Sequence, residues 1–539
     1  MAPSGVPRTF ARDAAHRVRV ALVKPPLRVP VSSYTTLACP PLNLAYLAAV
    51  LREDGCEVVI VDAVGEAPLR LSRTARPGFL RVGLTDSEIV RRIPAGTDLI
   101  GVTCMFSEEW PLVREVIRAI RGAFPAALLA AGGEHASAVP EFCLRDSRAL
   151  DLCVVGEGEE TLRDLVHRLR AGGDPLRTPG TVWSRAGGVQ TAAPRARIRN
   201  LDDLPPPAWD LVPLDGYFRH QLSFGLKRGR TLPILMSRGC PYRCTFCSNE
   251  RMWTTRWVAR DPIRVLDEME SWVRRYGVEN FDVFDPTAIL RKDWIVTFCK
   301  RLLARGLRVT WQIPAGTRTE VLDSEVTDLL FRSGCRYLAY APESGSREVL
   351  GRVRKRLDLD RMKASIEAAL RAGIHVKCNL MVGFPDETPA EMLETARLCV
   401  ELARLGVHDV NVGPFCPYPG SPLHETLRTQ GRLAALDDDF FDALASYSDL
   451  SRARSWNPAV GERMLEAIRL ADMALFYGFS FAIRPWRLAR LALDLATGHQ
   501  DTRLARALSD LITRWRLRFQ QDSRRAPERA GSPSPSTVP

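Results

Sequence analysis

Cys240, Cys244 and Cys247 crowd into eight residues of the run Met236-Ser-Arg-Gly-Cys-Pro-Tyr-Arg-Cys-Thr-Phe-Cys-Ser248. Three thiolates at C-x3-C-x2-C spacing can hold three irons of a cubane cluster. An electron-transfer cluster takes four cysteines, so the fourth iron here stays open to a chelating small molecule. A structural zinc site asks for a fourth Cys or a His at finger-like spacing, and the nearest downstream histidine is His375. Incidental core cysteines are the bland alternative, but core packing does not explain three thiols on one Gly-Cys-Pro-Tyr-Arg loop.

A chain of 539 residues exceeds what one core organises and implies two or three domains. The thirteen cysteines form no regular framework, and no charged leader precedes an apolar stretch and cleavage site, so a reducing, cytoplasmic setting is expected. No apolar run approaches the roughly 20 residues that span a bilayer.

Period and punctuation divide the chain. After a basic leader at 1–16, an α/β domain is predicted over 17–171. Strands are expected at Val18–Val23, Val58–Asp62, Asp98–Thr103, Ala127–Ala131 and Leu152–Val155, and helices over Pro41–Leu51 and about Pro111–Arg121. Strand–helix alternation of this kind builds a doubly wound, Rossmann-like parallel sheet with ligands at the carboxyl ends of its strands. Residues 172–230 are rich in Pro, Gly and Arg and read as an ordered connector, with Asp202-Asp-Leu-Pro-Pro-Pro-Ala-Trp209 as its stiffest part.

From 231 to 425 the rhythm repeats about six times, as in a partial (β/α)6 TIM-like barrel. Strands are predicted at Leu232–Met236, Asn280–Phe284, Val309–Gln312, Tyr337–Ala341, Val376–Val382 and Asp409–Val412, with glycines such as Gly277 and Gly406 closing the helices between them. Barrel chemistry sits at the carboxyl ends of the strands, where the cysteine loop falls. Lys377 and Asn379 are candidates to point into the barrel, Cys378 and Cys416 belong to the core, and Gln312 and Arg318 are substrate-side candidates.

The cysteine motif resembles that of the radical S-adenosylmethionine (SAM) superfamily. The resemblance implies a 4Fe-4S cluster on Cys240, Cys244 and Cys247, with SAM chelating the open iron. One electron then cleaves SAM to methionine and a 5'-deoxyadenosyl radical, which removes a substrate hydrogen atom. It also implies SAM-binding roles for Phe246 inside the motif, Asp285 after the second barrel strand, Glu343 and Ser344 after the fourth, and Gly383 after the fifth.

The first domain resembles the cobalamin-binding domain that precedes some radical SAM domains. Pro40-Pro41-Leu42, Thr103-Cys-Met-Phe-Ser107, Gly132-Gly-Glu-His-Ala-Ser137 and Gly156-Glu-Gly-Glu159 carry that likeness. It places Thr103, Ser107, Gly132, Gly133, His135, Gly156 and Glu157 beside cobalamin. Glycines let backbone approach a macrocycle closely, and small hydroxyls suit a nucleotide tail. None of the eight histidines has Asp two residues before it, so the Asp-x-His motif of the mutases is missing and His135 is expected as a loop residue near the corrin rather than a cobalt ligand.

The combined resemblance implies C-methylation of an unactivated carbon in a lipid or natural-product intermediate, with methylcobalamin as donor. The anaerobic cyclases of porphyrin biosynthesis, in which cobalamin donates no methyl, are the alternative. A cobalamin or redox sensor is a third reading, but an open cluster has little use in one. The formal charge of +12 raises an RNA-modifying enzyme, yet the helical C-terminus lacks the β-barrel such enzymes carry, and nucleic acid is not expected.

The remaining segments are a helical region at 426–519, with helices expected over Asp438–Asp449 and Pro458–Tyr477, and a disordered tail at 520–539. Between Phe481 and Phe519 eight arginines face three aspartates, in runs such as Arg484-Pro-Trp-Arg487 and Arg514-Trp-Arg-Leu-Arg-Phe519. A core-packed cap with a solvated arginine face is the first reading, and a peripheral contact with the inner membrane face or an amphiphilic substrate is the second. The expected partners are a small-molecule or lipid-like substrate and a flavodoxin- or ferredoxin-type reductant.

Overall fold

The computed structural model describes residues 17–33, 38–185, 188–318, 321–498 and 502–512. The leader at 1–16, the Arg514–Phe519 run and the tail at 520–539 lie outside the described residues.

The first sheet has seven strands in the order Gly188–Thr191, Thr181–Arg185, Leu152–Val154, Leu128–Gly132, Leu99–Thr103, Arg19–Lys24 and Glu57–Asp62. The last five run parallel, and Val20 pairs with both Val58 and Leu99. Their runs are apolar on both faces because helices such as Leu42–Glu53 and Trp110–Ala123 cover the sheet. The first two strands run antiparallel and come from residues assigned to the connector by sequence. Val182 and Trp183 are buried there, so this part of the connector belongs to the first core.

A small antiparallel sheet of Leu27–Pro30, Phe79–Val82 and Leu71–Arg73 was not foreseen. Its buried Arg28 and Arg81 break the apolar alternation that marks a strand. The Arg28 guanidinium lies 3.4 Å from the Phe79 ring centroid and pairs with Asp442.

The second sheet is a parallel arc of six strands in sequence order: Thr231–Ile234, Asn280–Val283, Thr310–Thr317, Cys335–Glu343, His375–Val382 and Asp409–Pro414. The helices between them start and stop where their caps dictate. Asp261 accepts from the Ile263 amide and Gly277 turns left-handed after Pro262–Tyr276. Thr388 and Glu391 form a capping box ahead of Pro389–Leu405.

The C-terminal helices complete the barrel. Helix Glu462–Ile483 buries Leu465, Arg469, Asp472, Phe476 and Ser480. Arg469 reaches the carbonyls of Val412, Ser446, Tyr447 and Asp449, tying the last strand to the turn after helix Asp438–Leu444. At the amino-terminal end of the barrel, helical residues 503–512 send Arg506 to the carbonyls of Ser223 and Gly225, while the amides of Arg503 and Leu504 donate to Asp409.

Candidate functional site

The carboxyl ends of the two sheets meet across one interface, and the cysteine loop lies in it. The loop turns at Gly239 (φ +89°), where a Cβ would collide with the Arg256 carbonyl. Cys240 and Cys244 are partly accessible and Cys247 is exposed, whereas nine of the other ten cysteines are buried and Cys39 is partly accessible. The Thr287 hydroxyl donates to the Cys240 sulfur at 3.1 Å. The loop is stitched down by the Thr245 amide to the Val353 carbonyl and by the Leu423 amide to the Thr245 carbonyl.

Asp285 corrects the expectation drawn from its position. Its carboxylate is fully buried and accepts from the Met236 amide at 2.8 Å and the Ser237 hydroxyl at 2.5 Å, so it braces the entry to the cysteine loop rather than facing a ligand. Burial pushes its pKa up to about 7. Ser344 is corrected in the same way: its hydroxyl is fully buried, sits 3.2 Å from the Thr395 hydroxyl and accepts from the Ser346 amide, which fixes the turn after the fourth strand.

Glu343, at the end of that strand, has φ +69°, a conformation L-residues avoid, and pairs with Lys355 at 2.8 Å. Arg318 lies 3.5 Å from the ring centroid of Tyr242, beside the cysteines. Phe246 meets Phe384 with ring centroids 5.9 Å apart, and the preceding Gly383 donates its amide to Glu387. The structure therefore brings Phe246, Glu343 and Gly383 around the cysteine loop.

Across the interface, a cavity of about 110 Å³ opens at the strand ends of the first sheet. Thr103, Gly132, Gly133, Gly156 and Glu157 line it. Asn43, which donates to the Thr103 hydroxyl at 3.0 Å, also lines it, and Met252 and Trp253 close it from the barrel side. Gly133 has φ +109° and passes so close to the Cys104 carbonyl that a Cβ would collide.

Ser107 and His135 are not in this cavity. His135 Nδ1 lies 2.9 Å from the Ser107 hydroxyl, and its ring packs against Trp110 and Phe441. Burial pushes the imidazole down to about pKa 3, so it is a neutral core residue and not a loop residue beside a corrin.

Glu157 lines the cavity and is also held by protein groups. It accepts from Arg197 at 2.8 Å, the Ile198 amide at 2.8 Å and Arg238 at 3.2 Å, and Arg238 also pairs with Glu159 at 2.7 Å. Arg238 stands two residues before Cys240, so one buried clasp joins the cavity to the cysteine loop. Glu134 and Ser248 make a second bridge. Sequence reasoning missed Arg238, although a cation in one motif and two carboxylates in the other were a signal for it.

Both half-sites fit the groups that the motifs imply. Three accessible thiols on one bent loop are the donor set of an open cubane. A cavity lined by Gly101, Gly132, Gly133, Gly156 and Gly158 is a cradle that side chains would fill.

Comparison with known proteins agrees with this architecture. The radical SAM superfamily profile matches residues 234–399, and the B12 binding domain profile matches residues 30–166. An uncharacterized methyltransferase of Pyrococcus horikoshii is 28% identical over 76% of this chain and 83% of its own length. The cytidylyl-2-hydroxyethylphosphonate methyltransferase of Streptomyces wedmorensis is 30% identical over 64% of this chain and 69% of its own. The structure of the methyltransferase TsrM from Kitasatospora setae, with cobalamin and a [4Fe-4S] cluster bound, superposes with a TM-score of 0.60 at 21% identity, covering 77% of this chain and 78% of that one.

Proposed function

The chain belongs to the radical SAM superfamily, in the branch that carries a B12-binding domain, and from this we propose that it is a cobalamin-dependent C-methyltransferase acting on an unactivated carbon of a lipid or natural-product intermediate. The observation that carries the reading is the Arg238 clasp. It holds the glycine-lined cavity and the cysteine loop against each other, as a reaction using both cofactors on one substrate requires.

When bound, the cluster supplies the electron that cleaves SAM, and cobalamin carries the methyl group. The chain's own groups bind and orient. Cys240, Cys244 and Cys247 hold three irons, and Thr287 places a hydrogen bond on one ligating sulfur, a device that tunes cluster potential. We assign Phe246, Glu343 and the Gly383–Phe384 turn to SAM, with Asp285 and Ser344 as positioning residues behind them.

The test is anaerobic reconstitution with iron, sulfide and hydroxocobalamin, followed by product analysis with SAM, a strong reductant and candidate acceptors. Methylated product is expected with one 5'-deoxyadenosine and one S-adenosylhomocysteine each. Deoxyadenosine with product but no S-adenosylhomocysteine would move the assignment to cyclase-like chemistry, and no bound corrin would overturn it.

We further assign the electron donor to a flavodoxin- or ferredoxin-type protein, a reading supported by the exposure of Cys247. We also propose peripheral contact with an anionic membrane. Among the described residues no helix is long and apolar enough to cross a bilayer. Helix Glu462–Ile483 nevertheless buries Arg469, Asp472 and Ser480 beside Leu465 and Phe476, and turns Met464, Leu470, Leu475 and Phe479 outward. Trp486, 65% exposed, and Leu488 extend that face, and exposed Arg463 and Arg490 flank it with positive charge. The chain should float with phosphatidylglycerol vesicles, and the double variant Leu475→Ser, Phe479→Ser should not; no flotation of the wild-type chain would end this reading.

A further inference from the structure

We propose that the hollow of the barrel is an anion-binding substrate pocket, in which Lys377 and Asn379 grip a phosphate or phosphonate of the methyl acceptor. This deepens the methyltransferase reading and rests on it.

Strand His375–Val382 carries the observation. Its outward residues Val376, Cys378, Leu380 and Val382 are at most 1% exposed, but the inward Lys377, Asn379 and Met381 keep accessible surface, and His375 opens instead onto a cavity lined by His408, Arg484 and Arg487. In a filled barrel the inward set would be the more buried. Ala341 on the neighbouring strand also keeps surface, while Tyr337 and Ala339, level with His375 and Lys377, are sealed by Leu226, so the open space lies toward the carboxyl ends of these two strands, above Lys377. Lys377 and Asn379 are two residues apart and share the inner face.

The charges around this space are already committed, except one. Asp409, in register with Lys377, accepts from the amides of Arg503 and Leu504 and from the Tyr477 hydroxyl. Asp282 accepts from the Gly225 amide and from Gln312. Arg503 and Arg506 donate to the carbonyls of Phe224, Gly225 and Ser223. Lys377 is the one charged group here without a hydrogen bond or ion pair among the described residues. Arg506 also pairs with Asp510, so the cations Lys377, Arg503 and Arg506 meet three carboxylates, Asp282, Asp409 and Asp510, and among the described residues none of these carboxylates pairs with Lys377 directly.

The ligand's chemistry follows from what is unsatisfied. A lysine ammonium has three donors and no acceptor, and Asn379 adds an amide whose Oδ1 is buried with no hydrogen-bond partner. A monoprotonated phosphate or phosphonate meets both needs, its oxygens accepting from Lys377 and its hydroxyl donating to the Asn379 Oδ1, whereas a carboxylate would serve Lys377 alone. An apolar acceptor would bury both groups unpaired. Burial and the nearby Arg503 push Lys377 down to about pKa 7, and an anion at its side would restore its charge.

The experiment is acetylation of the reconstituted full chain with an N-hydroxysuccinimide ester, read at Lys377 by peptide mass spectrometry, with exposed Lys292 as internal reference. Methylphosphonate is the probe, and neutral dimethyl methylphosphonate is its control. Lys377 should be labelled. Methylphosphonate should slow that labelling several-fold with Lys292 unaffected, the neutral ester should not, and Asn379→Leu should weaken the protection. Absence of labelling at Lys377 alone would mean that there is no open pocket, and labelling indifferent to methylphosphonate would mean that it is not an anion site. Neither result depends on turnover. A chain protected by methylphosphonate that makes no 5'-deoxyadenosine would refute the methyltransferase reading and leave the pocket standing.

Discussion

Cys244→Ala should reduce 5'-deoxyadenosine formation to background while cobalamin still binds at the wild-type stoichiometry. Two thiolates cannot hold three irons, so the cluster and its open coordination position are lost together. The loop around residue 244 does not depend on the metal for its place: the Thr245 amide, the Leu423 amide and the Phe246–Phe384 contact fix it to the barrel. The glycine-lined cavity is built from the other sheet and is not lined by the cysteines. Iron content, the charge-transfer absorbance of the cluster, corrin content and nucleoside products from one preparation check the prediction. Loss of corrin along with iron would mean that the two half-sites do not form independently.

Arg238→Met should cost about 3–5 kcal/mol of stability, because it strips the cation from buried carboxylates. Arg238, Glu157 and Glu159 are each about 5% exposed. Arg197 continues to hold Glu157, so the uncompensated charge falls mainly on Glu159. Urea denaturation of the variant should show the loss, and hydrogen exchange should rise first at residues 157–159 and 237–240, where the two halves separate. Adding Glu159→Gln should restore much of the stability, since the remaining partner no longer carries a buried charge. Cobalamin binding should fall in the single variant, because Arg238 and Glu159 line the cavity. An unchanged denaturation midpoint would show that the clasp contributes nothing.

The sequence made the skeleton legible through period. Parallel strands such as Arg19–Lys24 and His375–Val382 are short apolar or alternating runs, and Gly277 and Gly406 mark helix ends by local chemistry that needs no tertiary context. The cysteines were legible because their spacing is itself the chemistry. Side-chain direction was not. Asp285, Ser344 and His135 stand at the strand ends or loops where ligands bind, yet each turns inward to satisfy a neighbour, and linear position carries no information about that choice.

Buried charge misled the reading in the other direction. Arg28 and Arg81 concealed a sheet, and Arg469, Asp472 and Asp494 put charge on the inner side of the last helices, where amphipathic periodicity assumes apolar residues. The connector hid two strands because its prolines outweighed the Thr181–Arg185 run.

The most direct test is low-temperature electron paramagnetic resonance of the reconstituted chain with cob(II)alamin in place, recorded before and after reduction of the cluster. If the Arg238 clasp holds the two half-sites over one chamber, the reduced cluster should broaden the cob(II)alamin signal and speed its relaxation, and the effect should vanish in Cys244→Ala. Full occupancy of both cofactors with a cob(II)alamin signal indifferent to cluster reduction would contradict the shared site.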